Sequence, residues 1–534
     1  MVGGAGLRQP GANPRLVFLF SLPATHPTAF SPDGAILALV SPDGVTLVDA
    51  ESGIEKAKLA LRGAAAAEFS PGGGFLLGYA RPQTKPAKGE AEAAAVPNLV
   101  LWRVADGARV LALVHRAQWR RGDPNPPLAV AAGDGAAYHM VNNAVNVYDL
   151  PAKGPATGVA RKLPLRGVCA AAPSPDGARL AAAVPEQKGS PGYVGIWSVA
   201  DLPAAGTGGG ADAGPPPPTA RRSFFRASQV TLLWAPSSTA LLASVATDTD
   251  ATNQSYYGDV KLHFLAADGS LDCLVPLPKE GPVHDVSWSP KGDTFVALAG
   301  YMPAKATLFN AKCDAVYDLG AGPHALARWS PHGRFLALAG FGNLAGDVAI
   351  FDRKADGKLK PCGAARVENG VTCDWAPDGR SLLVATLAPR LRVDNGIRIV
   401  KYDGSLLLER PFPVLLEAAW RPAPAGAFPD APPSPRALGA AKAATAKAAR
   451  PAAFVPPHLR GRPGTQRAAR SVIGANSDDE GGPRKISASK PPGIGKPLPP
   501  GADLGADSKA ASKNAKRRAA AARKKAEGGD VPGA

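Results

Sequence analysis

Three glycines near the middle of the chain have the residue type, though not the spacing, of a phosphate-binding loop. An apolar run leads into Gly340, Gly342 and Gly346. A dinucleotide site needs G-x-G-x-x-G at the start of a helix, because the helix N-terminus faces the pyrophosphate. Here the spacing is G-x-G-x-x-x-G, and the following DVAIFD (347–352) is typical of a strand. We therefore predict a turn between two strands, in which the glycines take positive φ.

Other residue types that could do chemistry lack the required arrangement. The eight histidines stand singly, and the five cysteines include no C-x-x-C pair, which argues against a metal site and a disulfide framework. The chain has no G-x-S-x-G or H-E-x-x-H motif, and GIGKP (493–497) lacks the upstream Gly and the Ser or Thr of a Walker A loop. We expect no catalytic residues, no metal, no cofactor and no enzyme activity.

Targeting and membrane signals are also missing from the sequence. The apolar part of RLVFLFSLPA (15–24) is too short for a signal peptide, and no window holds 18 consecutive apolar residues. We expect a cytosolic protein without a membrane partner.

The elements that must position any site are encoded by a phrase that recurs along the first 420 residues. It consists of an aromatic or apolar residue, S-P-x-G or a decayed version, and an alternating apolar run. Ser at position i, Pro at i+1 and Gly at i+3 suit a type I turn, here placed between two strands. Clear copies begin at Phe30, Phe69, Pro173, Trp234, Trp288, Trp329, Trp375 and Trp420, and a weaker copy begins at Val130.

The spacing of the copies predicts the architecture. The shortest intervals between them are 39 to 46 residues, and a four-stranded propeller blade takes about 40–45 residues. We predict an all-β protein with a β-propeller of about nine blades over residues 1–425. The alternative is a row of β-sandwiches, which regular spacing without boundary linkers disfavours.

The last fifth of the chain has a different composition. Residues 424–534 carry 20 Lys and Arg against 8 Asp and Glu, and so hold most of the net charge of +17. Aromatic and β-branched residues are too few there to pack a core, so we predict that residues 426–534 form a largely disordered basic tail. Its basic segment 512–526 is compatible with a short helix that binds a polyanion.

One stretch combines basic and aromatic residues within the predicted propeller. In RRSFFRASQVTLLW (221–234), Arg221, Arg222 and Arg226 surround two phenylalanines. Such interleaving can bind RNA through phosphate contacts and stacking. The alternative is that the phenylalanines belong to a blade core and the arginines to a solvated rim.

Several phrases together resemble the eukaryotic translation initiation factor 2A family. They occur in the family's order, and the resemblance is dense from about 220 to 405 and thinner before 165. The phrases are RSFFRASQVTLLW, ATDTDATNQSYYGDVKLHFLAADG (246–269), LPKEGPVHDVSW (277–288), MPAKATLFNAKCDAVYDLGAGP (302–323), SPHGRFLALAGFGNLAGD (330–347), APRLRVDNG (388–396), AAFVPPHLRGRP (452–463) and SKNAKRRAAAARKK (512–525).

The resemblance implies a nine-bladed, WD40-like β-propeller with a basic tail. It also implies a factor that directs initiator methionyl-tRNA to the 40S small ribosomal subunit in a codon-dependent, GTP-independent manner on a subset of mRNAs. The implied partners are initiator tRNA, ribosomal RNA and proteins of the 40S subunit, mRNA and other initiation factors. The alternative function is a non-catalytic protein-interaction scaffold that is associated with ribosomal complexes.

The resemblance gives particular cations a role in RNA or ribosome binding. Taken singly, the cations near predicted propeller loops are ordinary surface charges. The family's lysine-rich stretch points to the tail cations as the main RNA contacts. The predicted contact residues are Arg221, Arg222, Arg226, Lys305, Arg390, Arg392, Lys516, Arg517, Arg518, Arg523, Lys524 and Lys525.

Two further features concern the tail. Ser477 precedes the acidic run DDE, which suits an acidophilic kinase, and phosphorylation would add about −1.5 to −2 charge to a basic segment. Family members usually continue into a long charged C-terminal helix, whereas this sequence stops at Ala534. The partner contacts that this helix makes in the family fall outside the residues given.

Overall fold

All regular structure in the described part of the chain is β-strand. The computed structural model describes residues 27–430 except 83–95, 124, 188, 206–213, 226, 248–258, 355–356, 389 and 425. These residues lie in the first of the two units into which the chain divides, 1–447 and 448–534. They form 32 strands in eight antiparallel sheets, and in each sheet four consecutive strands lie side by side in chain order.

The first four sheets extend to residue 224. Sheet 1 contains β1 (Thr28–Phe30), β2 (Ile36–Ser41), β3 (Gly44–Asp49) and β4 (Glu55–Ala60). Sheet 2 contains β5 (Ala64–Phe69), β6 (Phe75–Ala80), β7 (Leu99–Arg103) and β8 (Arg109–Leu113). Sheet 3 contains β9 (Leu128–Val130), β10 (Ala136–Val141), β11 (Ala144–Asp149) and β12 (Arg161–Pro164). Sheet 4 contains β13 (Ala170–Pro173), β14 (Arg179–Val184), β15 (Gly192–Ser198) and β16 (Ala220–Phe224).

The last four sheets extend to residue 411. Sheet 5 contains β17 (Gln229–Trp234), β18 (Ala240–Thr247), β19 (Asp259–Ala266) and β20 (Asp272–Leu274). Sheet 6 contains β21 (Val283–Trp288), β22 (Thr294–Ala299), β23 (Ala304–Asn310) and β24 (Ala315–Gly322). Sheet 7 contains β25 (Leu326–Trp329), β26 (Phe335–Ala339), β27 (Asp347–Arg353) and β28 (Leu359–Arg366). Sheet 8 contains β29 (Thr372–Trp375), β30 (Ser381–Thr386), β31 (Gly396–Lys401) and β32 (Leu406–Pro411).

The hydrophobic core lies between consecutive sheets. One buried cluster joins Leu47 of sheet 1 to Leu76 of sheet 2, and another joins Phe335 of sheet 7 to Trp375 of sheet 8. Removing apolar surface from water stabilises such contacts by about 25 cal/mol per Å². Four-stranded antiparallel sheets that pack face to face in chain order form a β-propeller, as the repeat predicted.

The S-P-x-G phrase forms the predicted turn between the first and second strands of a sheet. In sheet 1, Gly34 N donates to Ser31 O (2.8 Å), and the Ser31 hydroxyl accepts from Ile36 N (2.9 Å). Gly34 has φ +70°, where only glycine is unstrained. The equivalent glycines have φ between +68° and +80°; they are Gly73, Gly177, Gly292, Gly333 and Gly379.

Two decayed copies of the phrase keep this backbone without glycine. Asp134 and Ser238 occupy the left-handed position, with φ of +56° and +59°. Each side chain reaches a turn of a neighbouring sheet: Asp134 Oδ2 accepts from Gly74 N (2.7 Å), and Ser238 Oγ accepts from Asp176 N (3.0 Å). These bonds offset the strain of a non-glycine residue at positive φ.

Tryptophan side chains join consecutive sheets at the end of the first strand. Trp375 Nε1 donates to the carbonyl oxygen of Arg328 in sheet 7 (2.9 Å). The same bond to the preceding sheet recurs along the chain, made by Trp234 to Ala172 (3.0 Å), Trp288 to Leu233 (3.1 Å) and Trp329 to Ser287 (3.3 Å). Trp420 continues the series after sheet 8, because its Nε1 donates to Asp374 O (3.0 Å).

The ninth predicted unit occupies the position between sheet 8 and sheet 1. Its Arg421 Nε donates to Gly34 O (2.7 Å), and Pro422 O lies against Gly34. In other sheets, the equivalent glycine packs against a proline from the turn of the preceding sheet. Within the described residues this unit contains no strand, so the sheets seen there number eight. Residues 1–26 lie outside the described part, and a ninth sheet stays a prediction.

Trp375→Phe tests the bond between sheets. The change removes the donor to Arg328 O and leaves a half-buried carbonyl unpaired, so we expect a loss of about 1–3 kcal/mol in the free energy of unfolding. Urea midpoints would measure it. Trp119→Phe is a matched control, because the buried Trp119 Nε1 has no partner among the described residues. Equal losses in the two variants would contradict a role for the bond.

Candidate RNA and ribosome interface

The connections between strands divide the propeller into two faces. Turns between the first and second strands share one end, because Gly333 packs on Pro290 and Gly379 on Pro331 of the preceding sheet. We call this end, with the turns between third and fourth strands, the turn face. The loop face is the opposite end. It carries the loops between second and third strands, the connections between sheets and the segment 412–419 that follows β32.

The two faces differ in charge. In the described connections of the loop face, Lys and Arg number nine against seven Asp and Glu. In those of the turn face they number seven against eleven. A polyanion is therefore better accommodated at the loop face.

The phrases that carry the family resemblance reach the loop face. GFGNLAG (340–346) and APRLRVDN (388–395) form loops between second and third strands. LPKEGP (277–282) connects two sheets, and YMP (301–303) precedes β23. The part of the 246–269 phrase at residues 248–258 lies outside the described residues. The S-P-x-G turns, in contrast, belong to the turn face, so the two sequence signals separate in space.

The three central glycines form the loop between β26 and β27. Gly342 and Gly346 have φ of +85° and +86°, which confirms the predicted turn. Gly340 is not at positive φ, so the prediction for this residue was wrong. It is required for close approach instead, because a Cβ there would lie 1.9 Å from the carbonyl oxygen of Pro323. The loop leads into a strand, which excludes the dinucleotide arrangement.

Arg390 lies against this glycine loop. Its Nη2 is 3.0 Å from the position that a Cβ on Gly342 would take, so the guanidinium covers the glycine. Arg392, two residues further on, is exposed. Neither arginine forms an ion pair with the described residues. The structure thus brings one predicted contact residue onto the segment that best identifies the family.

Buried Asn395 fixes the loop that carries these two arginines. Its Nδ2 donates to Leu391 O (2.7 Å), and its Oδ1 accepts from Leu415 N (3.1 Å). The loop and the segment after β32 therefore form one surface. Val393 and Val414 are 61% and 65% exposed on it, beside exposed Leu416. This apolar surface with two arginines suits a macromolecular contact.

The basic–aromatic stretch is divided between core and surface. Phe224 is buried at the end of β16, whereas Phe225 is 68% exposed at the loop face. Arg221 lies over the ring of Tyr193 (4.1 Å), and Arg222 Nη1 pairs with Asp272 Oδ2 (2.9 Å). One phenylalanine thus packs in the blade core, as the alternative predicts, and the other is exposed, so RNA binding by this stretch stays a prediction. Arg226 lies outside the described residues.

Lys305 is already engaged within sheet 6. Its Nζ pairs with Asp318 Oδ2 (2.9 Å), and this contact is the largest cause of a lowered pKa for the Asp318 carboxyl. Arg221 and Arg222 belong to sheet 4, Lys305 to sheet 6, and Arg390 and Arg392 to sheet 8. The predicted residues therefore do not form one cluster. Ser477 and the six basic tail residues lie outside the described part of the chain.

Buried His263 makes sheet 5 sensitive to acid. Its ring centroid is 5.9 Å from Phe224, and neither ring nitrogen has a partner among the described residues. Burial first, and the charges of Arg222 and Lys261 second, together lower the pKa of His263 to about 4. Between pH about 6.5 and 4 the unfolded chain takes up a proton that the folded chain excludes. The free energy of unfolding therefore decreases as the pH is lowered through this range.

His263→Leu is expected to flatten this dependence. When the pH is lowered from 7 to 4, the free energy of unfolding of the variant should decrease by up to about 3 kcal/mol less than that of the parent chain. Urea midpoints at several pH values, each compared with the same variant at pH 7, would measure the slope. Some dependence should persist, because burial also lowers the pKa of His139 to about 4. An unchanged slope would contradict a neutral buried His263.

Sequence reasoning missed a segment that crosses the loop face. Residues 114–127 connect sheets 2 and 3, and we call them the bridging insert. Arg121 donates to Thr28 O at sheet 1 and pairs with Glu417 (3.2 Å). Asn125 Nδ2 donates to Val230 O of sheet 5 (2.8 Å). The only sequence signal was the long interval before the third repeat together with the cations of HRAQWRRGD (115–123).

Comparisons with known proteins decide the family. Residues 222–418 match the family described as eukaryotic translation initiation factor eIF2A. A Schizosaccharomyces pombe protein named eukaryotic translation initiation factor 2A is 32% identical over 85% of this chain and 76% of its own length. This chain belongs to the eukaryotic translation initiation factor 2A family. The Drosophila melanogaster protein of that name is 35% identical over 74% of this chain, which spans 59% of the fly protein.

A solved structure agrees with the fold of this initiation factor 2A family member. It is described as the crystal structure of the eukaryotic initiation factor and aligns with a TM-score of 0.63 at 29% identity. The alignment covers 76% of this chain and 93% of the other. The family match at 222–418 spans sheets 5 to 8 and leaves the bridging insert outside it.

Among the described residues of this family member, neither a metal-binding group nor a membrane-spanning helix occurs. They include no group of three or more His, Cys, Asp or Glu side chains that could hold a metal ion. Burial raises the pKa of the Cys169 thiol to about 11, so this thiol is a poor nucleophile. No helix capable of crossing a bilayer occurs in the described ranges.

Proposed function

We propose that this chain is a translation initiation factor that directs initiator methionyl-tRNA to the 40S small ribosomal subunit. It does so in a codon-dependent, GTP-independent manner on a subset of mRNAs. The observation that carries the proposal is membership of the initiation factor 2A family, with a similar relative over 85% of the chain. The factor acts without catalysis, in the cytosol, with mRNA, 40S RNA and proteins, and other initiation factors as partners.

The proposal assigns different tasks to the two parts of the chain, residues 1–425 and 426–534. The propeller docks its loop face on the ribosome, because that face is less acidic than the other and carries the family phrases. Arg390 and Arg392 are exposed there and available for phosphates, and Arg221 is exposed on strand β16, whereas Arg222 and Lys305 are held in ion pairs. The tail binds tRNA through Lys516, Arg517, Arg518, Arg523, Lys524 and Lys525, and phosphorylation of Ser477 weakens that contact.

A filter-binding assay of 40S subunits tests the function. Labelled initiator methionyl-tRNA, the full chain and an AUG-containing mRNA should give retained tRNA without GTP. Elongator methionyl-tRNA and an mRNA without AUG are the matched controls. Retention that is independent of the chain, or equal for both tRNAs, would overturn the proposal.

The second candidate is a protein-interaction scaffold, favoured by the exposed apolar side chains of Val393 and Val414. Co-migration with 40S subunits on a sucrose gradient separates the two functions. A scaffold stays with ribosomal proteins after RNase treatment and does not retain tRNA. The proposed factor loses its association when RNA is digested.

A further inference from the structure

The loop face divides into two halves that differ in charge. We call its described connections up to residue 191 the basic half, and those from residue 275 to 419 the apolar half. Lys and Arg number six against three Asp and Glu in the basic half, but three against four in the apolar half. A polyanion is therefore attracted to one half of the face only, and the other half suits a different kind of partner.

Large apolar side chains are exposed mainly on the apolar half. Among the described residues it carries five of them, against two in the basic half, Val96 and Val114. The five are Tyr301, Met302, Val393, Val414 and Leu416. The described turn-face connections of sheets 6 to 8 carry none. Exposed apolar groups that are collected on one side of a domain mark a contact with another macromolecule.

Three aliphatic side chains of the apolar half lie on two segments that are fixed to each other. They are Val393, Val414 and Leu416, which we call the aliphatic patch. Ala388 N donates to Leu415 O (2.7 Å), and Phe412 N donates to Asn395 O (2.8 Å), which holds the loop before β31 beside the segment after β32. These bonds occupy backbone groups that an added strand would need. A partner therefore meets side chains, as a docked helix does.

The unpaired charge beside the aliphatic patch is positive. Three of the four carboxylates in the apolar half have a partner. These pairs are Glu368 with Arg366 (3.5 Å), Asp394 with Asn369 (3.4 Å) and Glu417 with Arg121 (3.2 Å). Arg390 and Arg392 belong to the loop before β31, are exposed and form no ion pair within the described part of the chain. A partner complements these two arginines with acidic groups at the rim of the contact.

The chemistry of the aliphatic patch favours protein over RNA. Unpaired bases bind by stacking on aromatic rings or guanidinium planes, and valine and leucine side chains offer no such surface. Phosphates that lie against aliphatic groups lose hydration without a compensating bond. A helix with one apolar stripe and flanking carboxylates buries the same patch and pairs with the two arginines.

We propose that the aliphatic patch binds an acidic amphipathic helix of a 40S ribosomal protein. The apolar stripe of the helix lies on the patch, and its carboxylates pair with Arg390 and Arg392 in place of phosphates. The basic half of the loop face stays free for ribosomal RNA, so the helix supplements the RNA contacts and does not hold the subunit alone. This inference deepens the proposed function, on which it rests, by naming the kind of protein surface that the propeller meets.

Photocrosslinking of the full chain to purified 40S subunits tests the proposal. The chain carries p-benzoylphenylalanine in place of Val414, mass spectrometry identifies crosslinked peptides, and primer extension detects crosslinks to RNA. We expect crosslinks to a ribosomal protein, in a segment with apolar residues at helical spacing and flanking Asp or Glu. The matched control carries the same group in place of Ile54, which is 67% exposed at the turn face, and should not give these crosslinks. Crosslinks to RNA alone, or an equal yield from the control, would overturn the proposal.

A double substitution measures what the patch contributes to binding. Val393→Ser with Val414→Ser should weaken binding of the full chain to 40S subunits about tenfold, because the contact then buries less apolar surface. Ile54→Ser with Leu406→Ser is the matched control, since these side chains are 67% and 54% exposed and lie at the turn-face end of their sheets. The control should bind like the parent chain. Equal weakening in the two variants would contradict the assignment of the patch.

The filter-binding assay keeps the two proposals apart. Protein crosslinks from position 414 without delivery of initiator tRNA would retain the docking surface and overturn the function. Delivery of initiator tRNA without protein crosslinks from this position would retain the function and overturn the docking surface.

Discussion

Replacement of the six basic residues of the 512–525 segment by glutamine is expected to weaken binding of initiator tRNA at least about 100-fold at 0.1 M salt. The residues are Lys516, Arg517, Arg518, Arg523, Lys524 and Lys525. Substitution keeps the chain length and leaves the propeller unaltered. Fluorescence anisotropy of labelled tRNA at several salt concentrations would measure both the affinity and its salt dependence.

The reason is the release of counterions from the phosphates. Each neutralised phosphate contributes about 0.7–0.9 to the slope of log K against log salt, so six contacts contribute about four to five units. From 1 M to 0.1 M salt, six such contacts raise the affinity by about four orders of magnitude. In the variant, the other cations of the tail can supply part of this gain. We therefore expect the slope to decrease by about four in the variant.

A charge-preserving variant is the matched control. Exchange of every Lys for Arg and every Arg for Lys at the six positions should keep the slope and most of the affinity, because phosphate contacts require charge more than shape. If the glutamine variant binds tRNA with the slope of the parent chain, the tail is not the main RNA contact and serves solubility or nuclear import instead. The proposed function would then depend on the propeller alone.

Local sequence was sufficient for the turns of the propeller. Ser31, Pro32 and Gly34 specify their dihedral angles directly, and the spacing of such turns predicted sheets of four strands. The turns at Asp134 and Ser238 show what local sequence omits. Their side chains are held at positive φ by bonds to turns that lie 60 or more residues away in the chain. Such bonds follow only from the arrangement of neighbouring sheets.

The candidate interface was less accessible to sequence reasoning. Cations such as Arg222 and Lys305 could be found, but their pairing with Asp272 and Asp318 depends on strand register. Arg390 could not be assigned to the glycine loop, because the two come from different sheets. The path of the bridging insert across the ring depends on acceptors in sheets 1 and 5, which no local pattern indicates.

The second prediction concerns the glycine loop. We expect Gly340→Ala to lower the free energy of unfolding by about 3 kcal/mol or more. The added methyl would lie 1.9 Å from the backbone oxygen of Pro323, and neither group can move without displacing a strand end. For Gly346→Ala we expect about 4 kcal/mol, because the methyl meets Val367 O at 2.0 Å and φ is +86°. Urea unfolding followed by tryptophan fluorescence would measure both losses.

Two other glycines separate the causes. Gly63 has φ +75° with open space around the position of a Cβ, so Gly63→Ala should show the conformational strain alone, about 1–2 kcal/mol. Gly135 has neither a positive φ nor a neighbour within 4 Å, so Gly135→Ala should leave stability unchanged or raise it by about 0.5 kcal/mol. If Gly340→Ala behaved like Gly135→Ala, close packing would not explain the glycine. The fold would then tolerate a side chain at position 340. The glycine in GFGNLAG would be required by a partner that binds this segment.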